Sequence, residues 1–208
     1  VKVGAYSVML VDGQGVDDMI PFPDKKYQLI YADPPWHSDY NFGQIGSSKL
    51  SGFGSYLRYD TMTNEEILAL PVPSISADNC ALFLWVVNSQ LDVGIDVLKR
   101  WGFAYKQVAF CWVKTSQAGN PNCRLGYWTL GGMELCLLGI TGNMGNKRIK
   151  KNVRQVVLHP RTGHSKKPAI IRQNIEELFG DIPRIELFAR SYYDGWDVWG
   201  NEVDILVP

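Results

Sequence analysis

Short apolar runs rich in β-branched and aromatic residues recur at 27–32, 81–87, 105–113, 134–140 and 184–189. Runs of this length bounded by turn residues read as buried strands. Helical patterns lie between them: 64–70 after a Thr63 cap, 89–101 closed by Gly102, and 168–179, with Pro168 at its first position and Gly180 just past its end. In the last of these, Ile171, Ile175, Leu178 and Phe179 recur at helical spacing and mark the stripe that faces a core. Strands alternating with helices predict an α/β fold, a mainly parallel sheet with helices on both faces.

Two stretches fall outside this scheme. Residues 37–60 are rich in Gly, Ser and aromatics, and 141–167 are similar but basic; neither shows a helix or strand period. Long loops inside a compact domain are usually functional or disordered, and both of these are placed to be functional. There is no internal repeat or low-complexity segment, so the expectation is a single domain over 1–208.

Composition narrows the class. Hydrophobic residues make up 46% of 208 and charges cancel to zero, which argues against disorder. The longest strongly apolar run, 80–87, is far short of the roughly 20 residues of a membrane span, and no basic-then-apolar leader opens the chain. A soluble, intracellular protein is expected, with no membrane partner. Cys80, Cys111, Cys123 and Cys136 form no CxxC pair, and His37, His159 and His164 have no ligand spacing, so neither a disulfide scaffold nor a metal site is expected.

The first candidate constellation is Asp33, Pro34, Pro35 and Trp36, directly after the strand at 27–32. Open α/β sheets bind ligands at the carboxyl ends of their strands. The two prolines fix the backbone and remove two amide donors, leaving the Asp33 carboxylate and the Pro34 carbonyl as rigid acceptors suited to a planar amino group. An exocyclic amine on a nucleobase has its lone pair delocalised into the ring and is a poor nucleophile until acceptors hold its hydrogens. Trp36 offers a face on which an extruded base could stack, a contact of about 1–3 kcal/mol. The same residues also suit a rigid turn with a buried Trp.

The second is the stretch 135–175, which has no Asp or Glu but carries Lys147, Arg148, Lys150, Lys151, Arg154, Arg161, Lys166, Lys167 and Arg172. A neutral chain with one concentrated basic segment has the footprint of a phosphate-backbone binder, or of a solvated loop. The third is the C-terminal block, Arg184-Ile185-Glu186-Leu187-Phe188-Ala189-Arg190, followed by Gly195 to Glu202. It suits either a cofactor edge or a core strand with an aromatic lid formed by Trp196 and Trp199. No GxGxxG, Walker loop, GxSxG elbow or nucleophile–histidine pattern is present.

Five blocks in this order resemble the adenine-N6 methyltransferase family often called MT-A seventy, which includes the catalytic subunit of the eukaryotic mRNA methylation writer and many bacterial and phage DNA methyltransferases. They are Tyr27-Gln28-Leu29-Ile30-Tyr31-Ala32-Asp33-Pro34-Pro35-Trp36; Ala81-Leu82-Phe83-Leu84-Trp85-Val86; Gly126-Tyr127-Trp128 with Glu134-Leu135-Cys136-Leu137-Leu138-Gly139; His164-Ser165-Lys166-Lys167-Pro168; and Ile185 to Arg190 through Gly200-Asn201-Glu202. The resemblance runs from about Tyr27 to Leu206.

It implies a Rossmann-like sheet that binds S-adenosylmethionine, with the catalytic block ahead of the cofactor strand, as in the permuted β group of amino-methyltransferases. Asp33 and Pro34 would hold the target amine, with Pro35 stiffening the turn and Trp36 flanking the base. Lys167 would lie near the cofactor's methionine end, Glu186 and Arg190 along its ribose side, and Asn201 and Glu202 toward its ribose and adenine. Asp12 is the candidate for the acid upstream of the catalytic strand that reads the adenine, with Asp17 and Asp18 as alternatives. One departure is that Phe188-Ala189-Arg190-Ser191 lacks the glycine-rich turn usual after the cofactor strand.

The leading expectation is a compact bacterial or phage-type DNA adenine-N6 methyltransferase, with Lys147, Arg148, Lys150, Lys151, Arg154, Arg161 and Lys166 gripping phosphates. An RNA adenosine methyltransferase and an inactive nucleic-acid-binding subunit are the alternatives. Family members often pair, so a homodimer or a paired methyltransferase-like subunit is a candidate partner. The expected location is the cytoplasm of a bacterial or phage-infected cell, or the nucleus of a eukaryote.

Overall fold

The computed structural model describes residues 20–37, 61–125, 128–163, 166–201 and 203. Its strands are β1 (Tyr27–Ala32), β2 (Ser76–Val86), β3 (Ala104–Thr115), β4 (Arg124–Leu125), β5 (Leu130–Gly131), β6 (Met133–Thr141), β7 (Val156–Pro160), β8 (Arg184–Leu187) and β9 (Asp197–Trp199). The helices are α1 (Asn64–Ala69), α2 (Leu91–Arg100) and α3 (Ile170–Phe179). Seven strands form one sheet in the order β7-β3-β6-β2-β1-β8-β9, and β4 pairs with β5 in a separate hairpin.

The expected mainly parallel α/β sheet is present. Its pairs are parallel except the two made by β6, which runs against both β2 and β3. A hairpin connection between β3 and β6 dictates the reversal, because neighbours joined that way can only be antiparallel. The carboxyl ends of the six co-directional strands therefore share one edge with the amino end of β6. Chain order diverges on either side of β1, toward β2 in one direction and β8 in the other, which makes the β1/β8 crevice a topological switch point.

Period-two alternation divides the core. Ile30, Ala32, Leu82, Leu84, Leu137, Ile185 and Leu187 pack with Ile67 of α1 and with Val97 and Leu98 of α2. Leu29, Tyr31, Phe83, Trp85 and Cys136 face the other way, onto Ile171, Ile175 and Phe179 of α3. This is the sheet covered on both faces that the patterning predicts.

Helix ends follow local chemistry. Thr63 and Glu66 form a capping box at α1, with Glu66 N–H donating to Thr63 Oγ1 at 3.2 Å and Thr63 N–H to Glu66 Oε2 at 2.7 Å. Beyond α2, Gly102 takes φ +85, Phe103 N–H reaches Leu98 O at 2.8 Å and Gly102 N–H reaches Lys99 O at 3.0 Å, a Schellman closure. The third helix begins at Ile170, two residues after Pro168, whose carbonyl accepts from Ile171 N–H at 3.1 Å.

The basic stretch is not one loop, contrary to the sequence expectation. The run Val156–Pro160 forms the edge strand β7 beside β3, with Val156 and Leu158 exposed. Its short apolar run is hidden among charges and has one open face, so it lacks the fully apolar signature of the central strands. Among the described residues no helix is long and apolar enough to cross a membrane.

On α3, Ile175 is fully buried whereas Ile170 is 36% exposed. Ile175→Ala should lower the unfolding free energy by about 2–5 kcal/mol, and Ile170→Ala should stay within about 0.5 kcal/mol. Urea titration measures both, and equal losses would contradict this packing of the helix.

Candidate active site

Parity along β1 and β8 places the site's charges. Tyr31 and Glu186 are register partners on the face covered by α3, and Asp33, two residues beyond Tyr31, continues on that face at the carboxyl end of β1. A cavity opens there, lined by Tyr31, Asp33, Lys167, Arg172, Glu186 and Arg190 together with Gly163, Lys166, Phe188, Ser191 and Tyr193.

Lys167 donates to both Asp33 oxygens, at 2.7 and 2.6 Å. It also lies 3.3 Å from Glu134 Oε2, while Lys114 holds Glu134 Oε1 at 2.6 Å. The chain Asp33–Lys167–Glu134–Lys114 thus alternates in sign across four segments: the turn after β1, the approach to α3, the start of β6 and the end of β3. Lys167 further sits 5.2 Å above the Trp85 ring.

Burial drives the Asp33 carboxyl above its ordinary value, and the Lys167 charge and hydrogen bonds pull it back without cancelling the rise. Burial opposes charge on Lys167, but Asp33 and Glu134 outweigh it and hold the ammonium above its usual range. Burial would likewise raise Glu134, and the two flanking lysines outweigh it and bring the carboxyl below its ordinary value. Asp33 keeps a side-chain exposure of 23%. Two of the roughly four acceptor sites of an ionised carboxylate therefore remain for a ligand that enters the cavity.

Deeper in, Arg172 clasps Glu186 in a bidentate pair, Nε to Oε2 and Nη2 to Oε1, each at 2.5 Å. Its guanidinium lies 3.6 Å from the Tyr193 ring centre and 5.4 Å from that of Tyr31. Burial raises the Glu186 carboxyl, with Arg172 opposing. Among the described residues Arg172 Nη1, which is buried, has no hydrogen-bond partner.

The turn after β8 makes its left-handed step without glycine. Phe188 takes φ +61, at a cost of about 1–2 kcal/mol for an L-residue. Its ring packs edge-on against Trp199 at 5.4 Å, and Ala189 N–H donates to Trp199 O at 3.0 Å. Opposite it, a Cβ on Gly200 would sit 2.4 Å from Ala189 O, so only glycine lets the turn lie this close to β9.

Of the residues expected from sequence, the structure brings together Asp33, Lys167, Glu186 and Arg190. Asn201 is exposed beyond β9 and is not part of the cavity wall. Asp12, Asp17, Asp18 and Glu202 lie outside the described residues, as do residues 38–60 and Tyr127.

Trp36 differs from its expected place. It is 8% exposed, belongs to the core on the α1/α2 face, and donates its indole N–H to Trp85 O at 2.9 Å. It anchors the turn from the opposite side of the sheet and has no open face for a base. The Pro34 carbonyl accepts from Trp36 N–H at 2.9 Å, and Met62 N–H donates to Pro35 O at 2.9 Å, so the turn is clamped along its length.

The basic residues divide between two edges. Lys147, Arg148, Lys150, Lys151 and Arg154 follow β6 and precede β7, at the edge away from Asp33; there Asn143 N–H donates to Asn79 Oδ1 at 2.6 Å and Lys150 pairs with Glu177 at 3.1 Å. Arg161 and Lys166 follow β7 and lie on the site edge. Sequence reasoning gave no role to Lys114 and Tyr193, counted Arg172 only among the charges of the basic stretch, and noted Glu134 only as part of a strand motif. Glu134 carried a signal, being the sole acid between Val97 and Ile175.

Comparison with known proteins agrees with the geometry. The sequence model of the MT-A70 family matches residues 27–202. The chain is 38% identical to the type II methyltransferase M.MunI of a Mycoplasma species, over 97% of this chain and 91% of that protein. It is 34% identical to the N(6)-adenosine-methyltransferase MT-A70-like protein of Drosophila melanogaster and 32% identical to the N(6)-adenosine-methyltransferase catalytic subunit METTL3 of Homo sapiens, each over 86% of this chain. It spans only 27% and 28% of those two proteins.

Glu134→Gln removes one of the two anions beside Lys167, so the Lys167 ammonium should titrate at lower pH than in the parent. NMR of the side-chain amine follows this directly, and an unchanged titration would contradict the charge chain.

Proposed function

Given that this chain belongs to the MT-A70 family of methyltransferases, we propose that it moves a methyl group from S-adenosylmethionine to the N6 amine of adenine in DNA. The observation that carries the proposal is Asp33, held by Lys167 through both carboxyl oxygens at the carboxyl end of β1, with acceptor capacity left toward an open cavity at the switch point. The DNA reading rests on the 38% identity to a type II methyltransferase, against 34% and 32% to the adenosine methyltransferases.

The cavity suits the donor. Carboxylates at Asp33 and Glu186, cations at Lys166 and Arg190, and aromatic walls from Tyr31, Phe188 and Tyr193 match a ligand that joins a zwitterionic amino acid to a nucleoside. Arg190 lies close enough for its charge to draw the Asp33 carboxyl down. When bound, S-adenosylmethionine supplies an electrophilic methyl group on a cationic sulfur.

The chain's own work is to present the amine. Asp33 and the second lone pair of the Pro34 carbonyl accept its two hydrogens, which favours a pyramidal nitrogen whose lone pair points at the methyl carbon. Lys167 keeps Asp33 ionised, since a protonated carboxyl would lose acceptor capacity just where it is needed. The clamped turn fixes both acceptors before substrate arrives, so the contribution is one of position and electrostatics. S-adenosylmethionine held among Lys166, Glu186 and Arg190 would supply the methyl group, and Asp33 or water would take the proton that the amine loses. On this reading Arg161 and Lys166, which lie on the site edge, meet phosphates, and the far-edge group at 147–154 takes no part.

The test is transfer of radiolabelled methyl from S-adenosylmethionine to matched DNA and RNA oligonucleotides, single- and double-stranded. Label should appear in adenine of DNA, and Asp33→Asn should lower the rate by about 10²–10³-fold with cofactor binding retained. Full turnover by the variant would sink the assignment, and label in RNA alone would move the activity to RNA.

A further inference from the structure

Six of the seven tryptophans are buried at 9% exposure or less, and Trp128 is 91% exposed. It lies between the arms of the β4/β5 hairpin, beside Leu125 at 83% and Leu130 at 63%. Large apolar side chains held together in water on strands of two residues mark a contact surface.

The hairpin is rooted in the site. Asn122 N–H donates to Lys114 O at 2.7 Å and Lys114 N–H to Gly132 O at 2.8 Å, so both arms leave from the residue whose ammonium holds Glu134. Asn88, just beyond β2, donates to Met133 O at 3.2 Å. Trp128 stands six positions before Glu134, which bounds their separation at about 20 Å. The major groove of a duplex is about 12 Å wide, so nucleic acid seated with one base at Asp33 is within reach of the tip.

Charge identifies the occupant. Among the segments that leave this edge, 86–90, 115–133, 160–169 and 188–193 contain no Asp or Glu in sequence, and they carry Arg124, Arg161, Lys166, Lys167 and Arg190. The acids at this edge, Asp33, Glu134 and Glu186, are each bound to a cation. The surface around Trp128 therefore meets a polyanion without like-charge repulsion. A second copy docked symmetrically here would bring the same cations against it.

We propose that Trp128 is a stacking wedge, entering the duplex at the target step and taking the place of the adenine while that base is turned toward Asp33. Extrusion costs a base its stacking, and an aromatic side chain inserted into the gap restores part of it. The assignment also supplies the aromatic contact that the buried Trp36 cannot make. It rests on the nucleic-acid methylation proposed above.

Trp128 is the one readily quenchable tryptophan, so acrylamide quenching reports it independently of activity. Duplex DNA should shield it, and Trp128→Ala should abolish both the quenchable emission and the shielding while leaving the melting temperature unchanged. In single-turnover assays, Trp128→Ala should lower methylation of a fully paired duplex about tenfold, and by less than about twofold when the target adenine faces an abasic site and is already loosened. Equal losses on the two duplexes, absence of shielding, or wild-type methylation confined to single strands would overturn the wedge. So would shielding that grows with protein concentration alone as the mass doubles, which would assign the hairpin to a dimer. Failure of the wild type to label any nucleic acid overturns the methylation reading instead.

Discussion

The contact between Asp33 and Lys167 is the constraint that the rest of the structure serves. A carboxylate at the end of a buried parallel strand is costly unless a cation meets it, and a buried ammonium is costly in turn unless anions surround it. The fold answers with Glu134 on the second side of Lys167 and Lys114 beyond that, at 3.3 and 2.6 Å. The reversal of β6 is what allows this. A parallel strand in that slot would carry the first residues of β6, Glu134 among them, to the far edge.

The same economy governs the cavity wall. Glu186 must point toward α3 because Ile185 and Leu187 take the opposite face, and Arg172, from the first turn of α3, meets it there. With Glu186 neutralised by a clasped guanidinium, Asp33 is left as the acceptor nearest the opening. The Phe188 turn and its close approach to Gly200 then set Arg190 and Ser191 on the cavity wall. Groups that bind charge are thus placed by backbone geometry.

Much of this was legible in the sequence, for identifiable reasons. The central strands have both faces buried and read as uninterrupted apolar runs, and the Thr63 cap and Gly102 closure are local chemistry that needs no tertiary contact. Asp33 stood out because two prolines and a strand end isolate it. The pairs that depend on facing were not legible: Arg172 with Glu186, and Lys114 with Glu134, are fixed by strand parity and neighbour order. Trp36 shows the limit most clearly, since its position beside Asp33 in sequence does not tell which side of the sheet the ring enters. The basic stretch was misread as one surface because β7 runs through it and sends its two halves to opposite edges.

The most direct test is the pH dependence of single-turnover methyl transfer in the parent, Lys167→Arg and Lys167→Met. Burial already raises the Asp33 carboxyl and Lys167 restrains it. Activity should therefore be lost on acidification as Asp33 takes up a proton. Removing the restraining charge should move that acid limb to higher pH in Lys167→Met, while Lys167→Arg stays near the parent. An acid limb at the same pH in all three would show that Lys167 does not keep Asp33 ionised, and would contradict the account at its centre.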